Sequence, residues 1–199
     1  TIEAKSYGVY LSRNEGASSM DVEGNTITMQ GSSKGVGITM DEWSNVQSAN
    51  YNINANSITL WDAAFGIRSS YALKPQINYN NIYQYTNGII KPLTTGIAIL
   101  GSDTAMLSCN FMTTNYPADT NFVSIGLEIA QSKMFTANCN KIRYHNCGVY
   151  MGGDCQNNNI YRTNDVDSCD MGLYLNSAAI VGQQMQKGNR WLNVLNTVN

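Results

Sequence analysis

The side chains able to do chemistry gather in the second half of the chain. Glu128, Asp154, Asp165, Asp167 and Asp170 supply carboxylates, Lys141 and Arg143 supply cations, and His145 is the one histidine. A pair of carboxylates at a defined separation hydrolyses a glycosidic bond, and Glu128, Asp154, Asp165 and Asp167 are the catalytic set that such a reading requires. Asp165 and Asp167 have strand spacing, so both could face one side and offer oxygens to Ca²⁺. Against this, Thr163–Ser168 has the composition of a turn, where Asp bonds its own backbone. Lys141 and Arg143 alternate outward of Ile142 and could hold an acidic sugar, although spacing matches no acidic cluster to them. His145 lies in Arg143-Tyr144-His145-Asn146-Cys147, a corner, and reads as a packed or surface residue rather than a base. There is no Gly-x-Ser-x-Gly, phosphate loop or His-Glu-x-x-His. Catalysis is therefore unsupported by these residues, no metal or cofactor is expected, and Ca²⁺ is the single ion worth weighing.

Composition narrows the scaffold. Of 199 residues 43% are hydrophobic but only 13% charged, against ~25% in an ordinary soluble domain. Roughly one residue in eight is asparagine. A chain so poor in Glu, Lys and Arg lacks the usual fillers of exposed helix faces. A net charge of −2 argues against a nucleic-acid binder, which needs a basic stripe. No run approaches the ~18 apolar residues of a membrane helix. The chain opens at Thr1 without a charged-then-apolar leader, which reads as an excised piece of something longer. Cys109, Cys139, Cys147, Cys155 and Cys169 include no Cys-x-x-Cys pair, so they read mostly as small buried hydrophobes. Pairing across neighbouring turns is left unassigned.

Two signatures recur. Glycine, an apolar residue, any residue and usually a second apolar one appear at Gly8, Gly37, Gly66, Gly96, Gly126, Gly148 and Gly172, in steps of 29, 29, 30, 30, 22 and 24. An extra copy sits at Gly88. An asparagine-led signature lies between them, at Asn25, Asn56, Asn81, Asn110, Asn140 and Asn159. Both alternate apolar and variable residues over three to five positions, which is strand period, and turn-forming residues flank them. Strands at one phase of every 22–30-residue unit predict an all-β fold: a single-stranded right-handed parallel β-helix of about seven or eight turns, spanning residues 1–182. Residues 183–199 break the period as a cap or the start of a following segment. Asp41–Tyr51 and Thr113–Phe122 read as loop excursions. Ile27, Ile58 and Ile142 should stack inward and the asparagines at corners.

The residue between two core positions points outward. In order these are Tyr10, Thr39, Arg68, Ala98, Glu128, Tyr150 and Tyr174, so Glu128, Tyr150 and Tyr174 should form an outward strip able to bind a sugar. Thr26/Thr28 and Ser57/Thr59 resemble a threonine ladder of the kind that binds ice, but Asn81 and Tyr83 end it after two rungs.

These Asn-x-Ile and Gly-apolar-x-apolar rungs, from Tyr7 to Leu175, resemble the parallel β-helix repeats of the pectate-lyase-like superfamily. The superfamily holds lyases, glycosidases, epimerases, tailspikes and non-catalytic surface proteins, so the resemblance implies fold more than function. The local signatures of its glycosidases, Asn-Thr-Asp, Asp-Asp and Gly-His-Gly, are missing here. Ile180-Val181-Gly182-Gln183-Gln184 with Gly188-Asn189-Arg190-Trp191 is similar to a segment ending β-helix repeats in secreted Bacteroidota proteins, many exported by type IX secretion. Asp103-Thr104-Ala105 matches the O-glycosylation motif of that phylum, while a type IX sorting domain is absent. The resemblance implies an extracellular or cell-surface segment of a longer chain. Its expected role is a rigid adhesive or structural rod contacting glycans or surface proteins through Glu128, Tyr150, Tyr174, Lys141 and Arg143. The alternative is a polysaccharide lyase or glycoside hydrolase.

Overall fold

A computed structural model describes residues 1–12, 19–30, 34–42, 50–72, 74–85, 93–115, 124–155, 159–176, 179–181 and 188–194. The chain coils as a right-handed parallel β-helix, and each strand pairs in parallel with its counterpart one coil later. The first sheet stacks Ile2–Ala4, Thr26–Gln30, Ser57–Trp61, Asn81–Tyr85, Phe111–Thr114, Lys141–Arg143, Asp165–Asp167 and Arg190–Leu192. The second, carrying the glycine signature, stacks Tyr7–Ser12, Val36–Asp41, Phe65–Ser70, Thr94–Leu100, Ser124–Ala130, Cys147–Gly152 and Met171–Leu175. A third joins Ser19–Glu23, Asn50–Asn54, Gln76–Asn78, Met106–Ser108, Thr136–Asn138 and Ile160–Arg162, and a short fourth pairs Asp154–Cys155 with Ile180–Val181. Eight strands in the first sheet and seven in the second agree with the expected number of turns. No helix among the described residues is long and apolar enough to cross a membrane.

Alternation places like residues in columns. Ile27, Ile58, Ile82, Met112, Ile142 and Val166 are partners in successive rungs, and each is 0% exposed. Ile53, Ile77, Leu107 and Ala137 form the facing column of the third sheet. One cluster runs through the coil from Val22 to Cys169. Each interior side chain is thus shielded by the same position of the coils on either side, and this burial is the dominant favourable contribution to the fold.

The corner between the third and first sheets repeats one geometry. Gly24, Ala55, Tyr79, Cys109, Cys139, Thr163 and Gly188 all have φ between 50° and 70°, a left-handed conformation that disfavours non-glycine residues by ~1–2 kcal/mol each. An asparagine follows every one of them. Asn25, Asn56, Asn80, Asn110, Asn140, Asn164 and Asn189 form a ladder in which each Oδ1 from Asn56 onward accepts from the backbone N–H and the Nδ2 of the asparagine one coil earlier, at 2.9–3.2 Å. The Nδ2 groups also donate to carbonyls of the preceding third-sheet rung, from Val22 to Tyr161. Two expected members differ. Asn81 is exposed on the first sheet while Asn80 holds the ladder, and Asn159 accepts instead from the Phe135 N–H at 3.1 Å. The buried corner must satisfy amides, so the asparagine directly after the left-handed residue is the one selected.

This correction carries a second one. Asp165-Val166-Asp167 is a strand, not a turn, because Asn164 in the ladder sets its register against Lys141-Ile142-Arg143. The first sheet and the ladder also run on through Asn189 to Leu192. Most of the expected loop excursions, positions 43–49 and 116–122, lies outside the described residues; Asp41, Asn50–Tyr51 and Thr113–Thr114 are strand.

Candidate functional site

The glycine column bends the second sheet. Pairing passes from Thr95↔Ile125 directly to Ile97↔Leu127, and again from Ile125↔Cys147 to Leu127↔Val149, skipping the glycine each time. A Cβ on Gly96 would lie 2.6 Å from the Gly126 carbonyl oxygen and 2.9 Å from Met112 Cγ, so only glycine allows the approach. Two consecutive residues, glycine and its successor, therefore face the interior. The residues on either side of that pair, such as Ile125 and Glu128, face outward across a concave bend.

Where three such bends stack, they form an open cleft of about 340 Å³ lined by Leu93, Ile125, Glu128, Cys147, Tyr150, Met171 and Tyr174. Glu128, Tyr150 and Tyr174 are direct register partners on successive coils, as the outward strip required. The two tyrosine rings stack with centroids 5.6 Å apart and planes 23° from parallel. Tyr150 leans over Gly152, where a Cβ would meet the ring at 2.9 Å, and Asn176 Nδ2 donates to its hydroxyl oxygen at 2.8 Å. Both contacts hold the ring in place.

Glu128 is the cleft's acid. Burial beside Ile125 and Cys147 raises its pKa above the ordinary carboxylate value, opposed by a hydrogen bond from Thr95 and by the Arg68 charge. Thr95 Oγ1 donates to Glu128 Oε2 at 3.4 Å. Arg68 stands two coils away across the small Ala98, with its Nε donating to Ser70 Oγ at 3.0 Å and its guanidinium carbon 5.8 Å from the Phe65 ring centroid. Leu93, Ile125, Cys147 and Met171 are site residues that the sequence reading passed over. Their signal was position: all but Leu93 precede a signature glycine, in the slot that regular alternation would assign to the core. Cys147 buries its thiol in this wall, and burial pushes its pKa up to about 12.

The other acids lie elsewhere. Asp165 and Asp167 stand on the outer side of the first sheet and Asp154 on the short fourth sheet. Asp165 is held by Arg190 at 2.7 and 3.1 Å, and Asp154 by Lys133 at 2.8 Å. Asp167 accepts from Ser168 Oγ at 3.1 Å and Asn193 Nδ2 at 3.0 Å, with Arg143 Nε 3.8 Å away. Of the four proposed catalytic carboxylates only Glu128 lines the cleft. Asp165 and Asp167 share one side of their strand, yet their oxygens meet cations and amides rather than one another. Among the described residues no three His, Cys, Asp or Glu side chains gather as metal ligands.

Lys141 and Arg143 border a second hollow, about 370 Å³, with Cys109, Asn110, Phe111 and Cys139. Contrary to the expectation that no acids match them, Asp165 and Asp167 are their register partners one coil on. The step between these coils is 24 residues, the same as from Gly148 to Gly172, but placing the asparagine signature at Asn159 instead of Asn164 obscures it on this sheet. His145 is buried, which depresses its pKa to about 3, so it stays neutral at ordinary pH. Thr104 of the Asp103-Thr104-Ala105 motif sits half-buried at a turn with φ 57° and its hydroxyl donating to the Asp103 carbonyl oxygen at 2.7 Å. Comparison with protein-family models, with curated proteins and with solved structures finds no match to this chain.

Proposed function

We propose that this chain is a rigid, non-catalytic β-helix segment of a larger secreted or cell-surface protein, and that it holds glycans in the cleft of Glu128, Tyr150 and Tyr174. The observation carrying the reading is the stacked Tyr150–Tyr174 pair beside a half-buried carboxyl. Aromatic faces pack on the C–H faces of a sugar ring, and a carboxyl within an apolar wall accepts hydroxyl hydrogen bonds at fixed positions. All but Leu93 of the lining residues stand on strands rather than loops, so little ordering accompanies binding. Keeping Glu128 in a place that disfavours its charge is a local sacrifice of stability, a common mark of a binding or reacting site. The resemblance to pectate-lyase-like repeats, and to secreted Bacteroidota proteins of the type IX route, supports an extracellular setting.

The alternative hydrolase needs a second carboxylate within about 5–9.5 Å across the scissile bond, and Asp154, Asp165 and Asp167 are engaged on other sheets. The alternative lyase needs a basic side chain beside a neutralised uronate, and among the described residues no Lys, Arg or His lines the cleft. A glycan array with the wild-type chain and Tyr150→Ala tests the reading. Retention of one or more glycans, with at least ~10-fold weaker binding by the variant, is the expected result. Equal binding by Tyr150→Ala, no retained glycan, or release of reducing or unsaturated ends from a retained polysaccharide would each refute it.

A further inference from the structure

Cys109 and Cys139 occupy the same corner on successive coils. Leu107↔Ala137 and Ser108↔Asn138 precede them and Phe111↔Lys141 follows them in register, while the Asn110–Asn140 ladder bonds tie the coils immediately alongside. Adjacent coils place their Cα atoms ~4.8 Å apart, inside the range of about 4.4–6.8 Å that a disulfide spans. Their φ angles are 54° and 58°, so both Cα–Cβ bonds leave the corner in the same direction. The Cys109 N–H donates to the Asn138 carbonyl oxygen at 3.0 Å. Both are free thiols, Cys109 half-buried and Cys139 exposed, and both line the same hollow. Bringing the Cβ atoms to bonding separation needs a closure of under about 1 Å at an exposed corner. The remaining cysteines, Cys147, Cys155 and Cys169, are buried.

We propose that Cys109 and Cys139 form an oxidation site that closes into a disulfide linking two successive coils, with a low-molecular-weight disulfide as oxidant. The exposed Cys139 thiolate attacks one sulfur of the oxidant, expels its first thiol and becomes a mixed disulfide. Cys109 then loses its proton and attacks the Cys139 sulfur, expelling the second thiol. Two protein thiols are oxidised as one small disulfide is reduced to two thiols. The order follows from position and charge. Burial and then the neighbouring Cys139 thiol push the Cys109 thiol up to about 11, while Lys141 draws it down. Once Cys139 is in the mixed disulfide, the second of those restraints is gone and Lys141 remains beside the nucleophile. The closed bond would clamp the coils bordering the Lys141–Arg143 hollow, independently of any ligand in the Glu128 cleft.

The folded chain is incubated with oxidised glutathione, alkylated and mapped by peptide mass spectrometry. The expected product is a peptide linking Cys109 to Cys139 within one chain, three of the five cysteines still alkylated after unfolding, and a rise in Tm of about 5–10 °C reversed by dithiothreitol. Cys139→Ser should yield no link, and Cys109→Ser should stop at the Cys139–glutathione adduct. Circular dichroism verifies that both variants keep the β-helix. A glutathione adduct persisting on wild-type Cys139, five unmodified thiols, or links formed only between chains would overturn the proposal.

Discussion

Replacing Asn80 or Asn81 with alanine deletes the same amide from adjacent positions, so the pair isolates what the corner ladder contributes. Asn80 is 0% exposed. Its Oδ1 accepts from Asn56 N and Nδ2, both at 3.0 Å, and its Nδ2 donates to the Ile53 and Asn78 carbonyls and to Asn110 Oδ1 at 2.8–3.1 Å. Alanine leaves the buried Asn56 N–H without an acceptor, a penalty of about 1–3 kcal/mol, and removes further bonds worth ~0.5–1.5 kcal/mol each. Asn56 Nδ2 still reaches the Val22 carbonyl and Asn110 Oδ1 still accepts from the Asn80 N–H, which limits the total to ~3–4 kcal/mol. Asn81 points to solvent from the first sheet, and its loss should stay within ~0.5 kcal/mol. Urea unfolding followed by far-UV circular dichroism gives both values from the shift in midpoint at constant m. For a chain of this size the Asn80→Ala loss corresponds to a Tm lowered by roughly 6–16 °C. Should the two variants unfold within 1 kcal/mol of each other, or Asn81→Ala be the weaker, the ladder would not be what steadies the corner.

Three further outcomes follow from buried groups and close contacts. His145 binds no proton in the folded chain until about pH 3, whereas the unfolded chain takes one up below 6.5; stability is unaffected by this group above pH 6.5 and falls with acidification between those values. The decline is about 1.4 kcal/mol per pH unit, or about 2.7 kcal/mol two units below 6.5, and the acid unfolding curve of His145→Gln should lack that component. Glu128 has a raised folded pKa, so the destabilisation from its charge grows as pH rises out of the ordinary carboxylate range. Glu128→Gln should raise Tm at pH 7, with the gain vanishing near pH 4, and a gain that persists in acid would contradict the assigned cause. Gly96→Ala drives a Cβ to 2.6 Å from a backbone oxygen, while Gly24 has φ 67° and nothing within 4 Å of an added Cβ. The first should lose at least ~3 kcal/mol to overpacking and the second only ~1 kcal/mol to backbone strain, a difference readable from their thermal unfolding curves.

The coil was legible because its constraints are local and repeated. A glycine that cannot carry a Cβ, followed by an inward aliphatic and, in all but the Gly66 strand, by a second inward apolar residue, leaves the same mark along the second sheet, and Ile27, Ile58 and Ile142 fell in the interior as their period demanded. The ladder was less legible, since Asn80-Asn81 and Asn159 through Asn164 offer competing amides. What decides between them is a left-handed φ at Tyr79 and Thr163, a backbone property that neither residue type advertises. A polar ladder at another corner, where the Ser102 N–H donates to Ser132 Oγ and the Ala72 N–H to Ser102 Oγ at 3.0–3.1 Å, escaped notice for the same reason. Glu128, Tyr150 and Tyr174 were found through strict register between coils. Ile125, Cys147 and Met171 were not, because reading them as cleft walls requires knowing that the ladder skips each glycine.

That skip joins stability to binding geometry. With a side chain at position 126 the coil could not close over Ile142, and with no bend there Ile125 and Glu128 would lie on opposite faces of the sheet, as neighbours of odd separation do. The contact that packs the interior is therefore also what turns two outward residues toward each other and makes a groove from a flat face. The groove's depth belongs to the backbone, while its chemistry belongs to whichever residues stand before and two places after each glycine. Upstream coils put Thr95 with Ala98, Phe65 with Arg68 and Val36 with Thr39 in those slots. Tyrosine pairs with an apolar neighbour on the coils of Cys147 and Met171, where the rings stack. Exchanging such residue pairs between coils should move the aromatic platform along the rod while leaving the interior columns intact, and glycan retention should move with it.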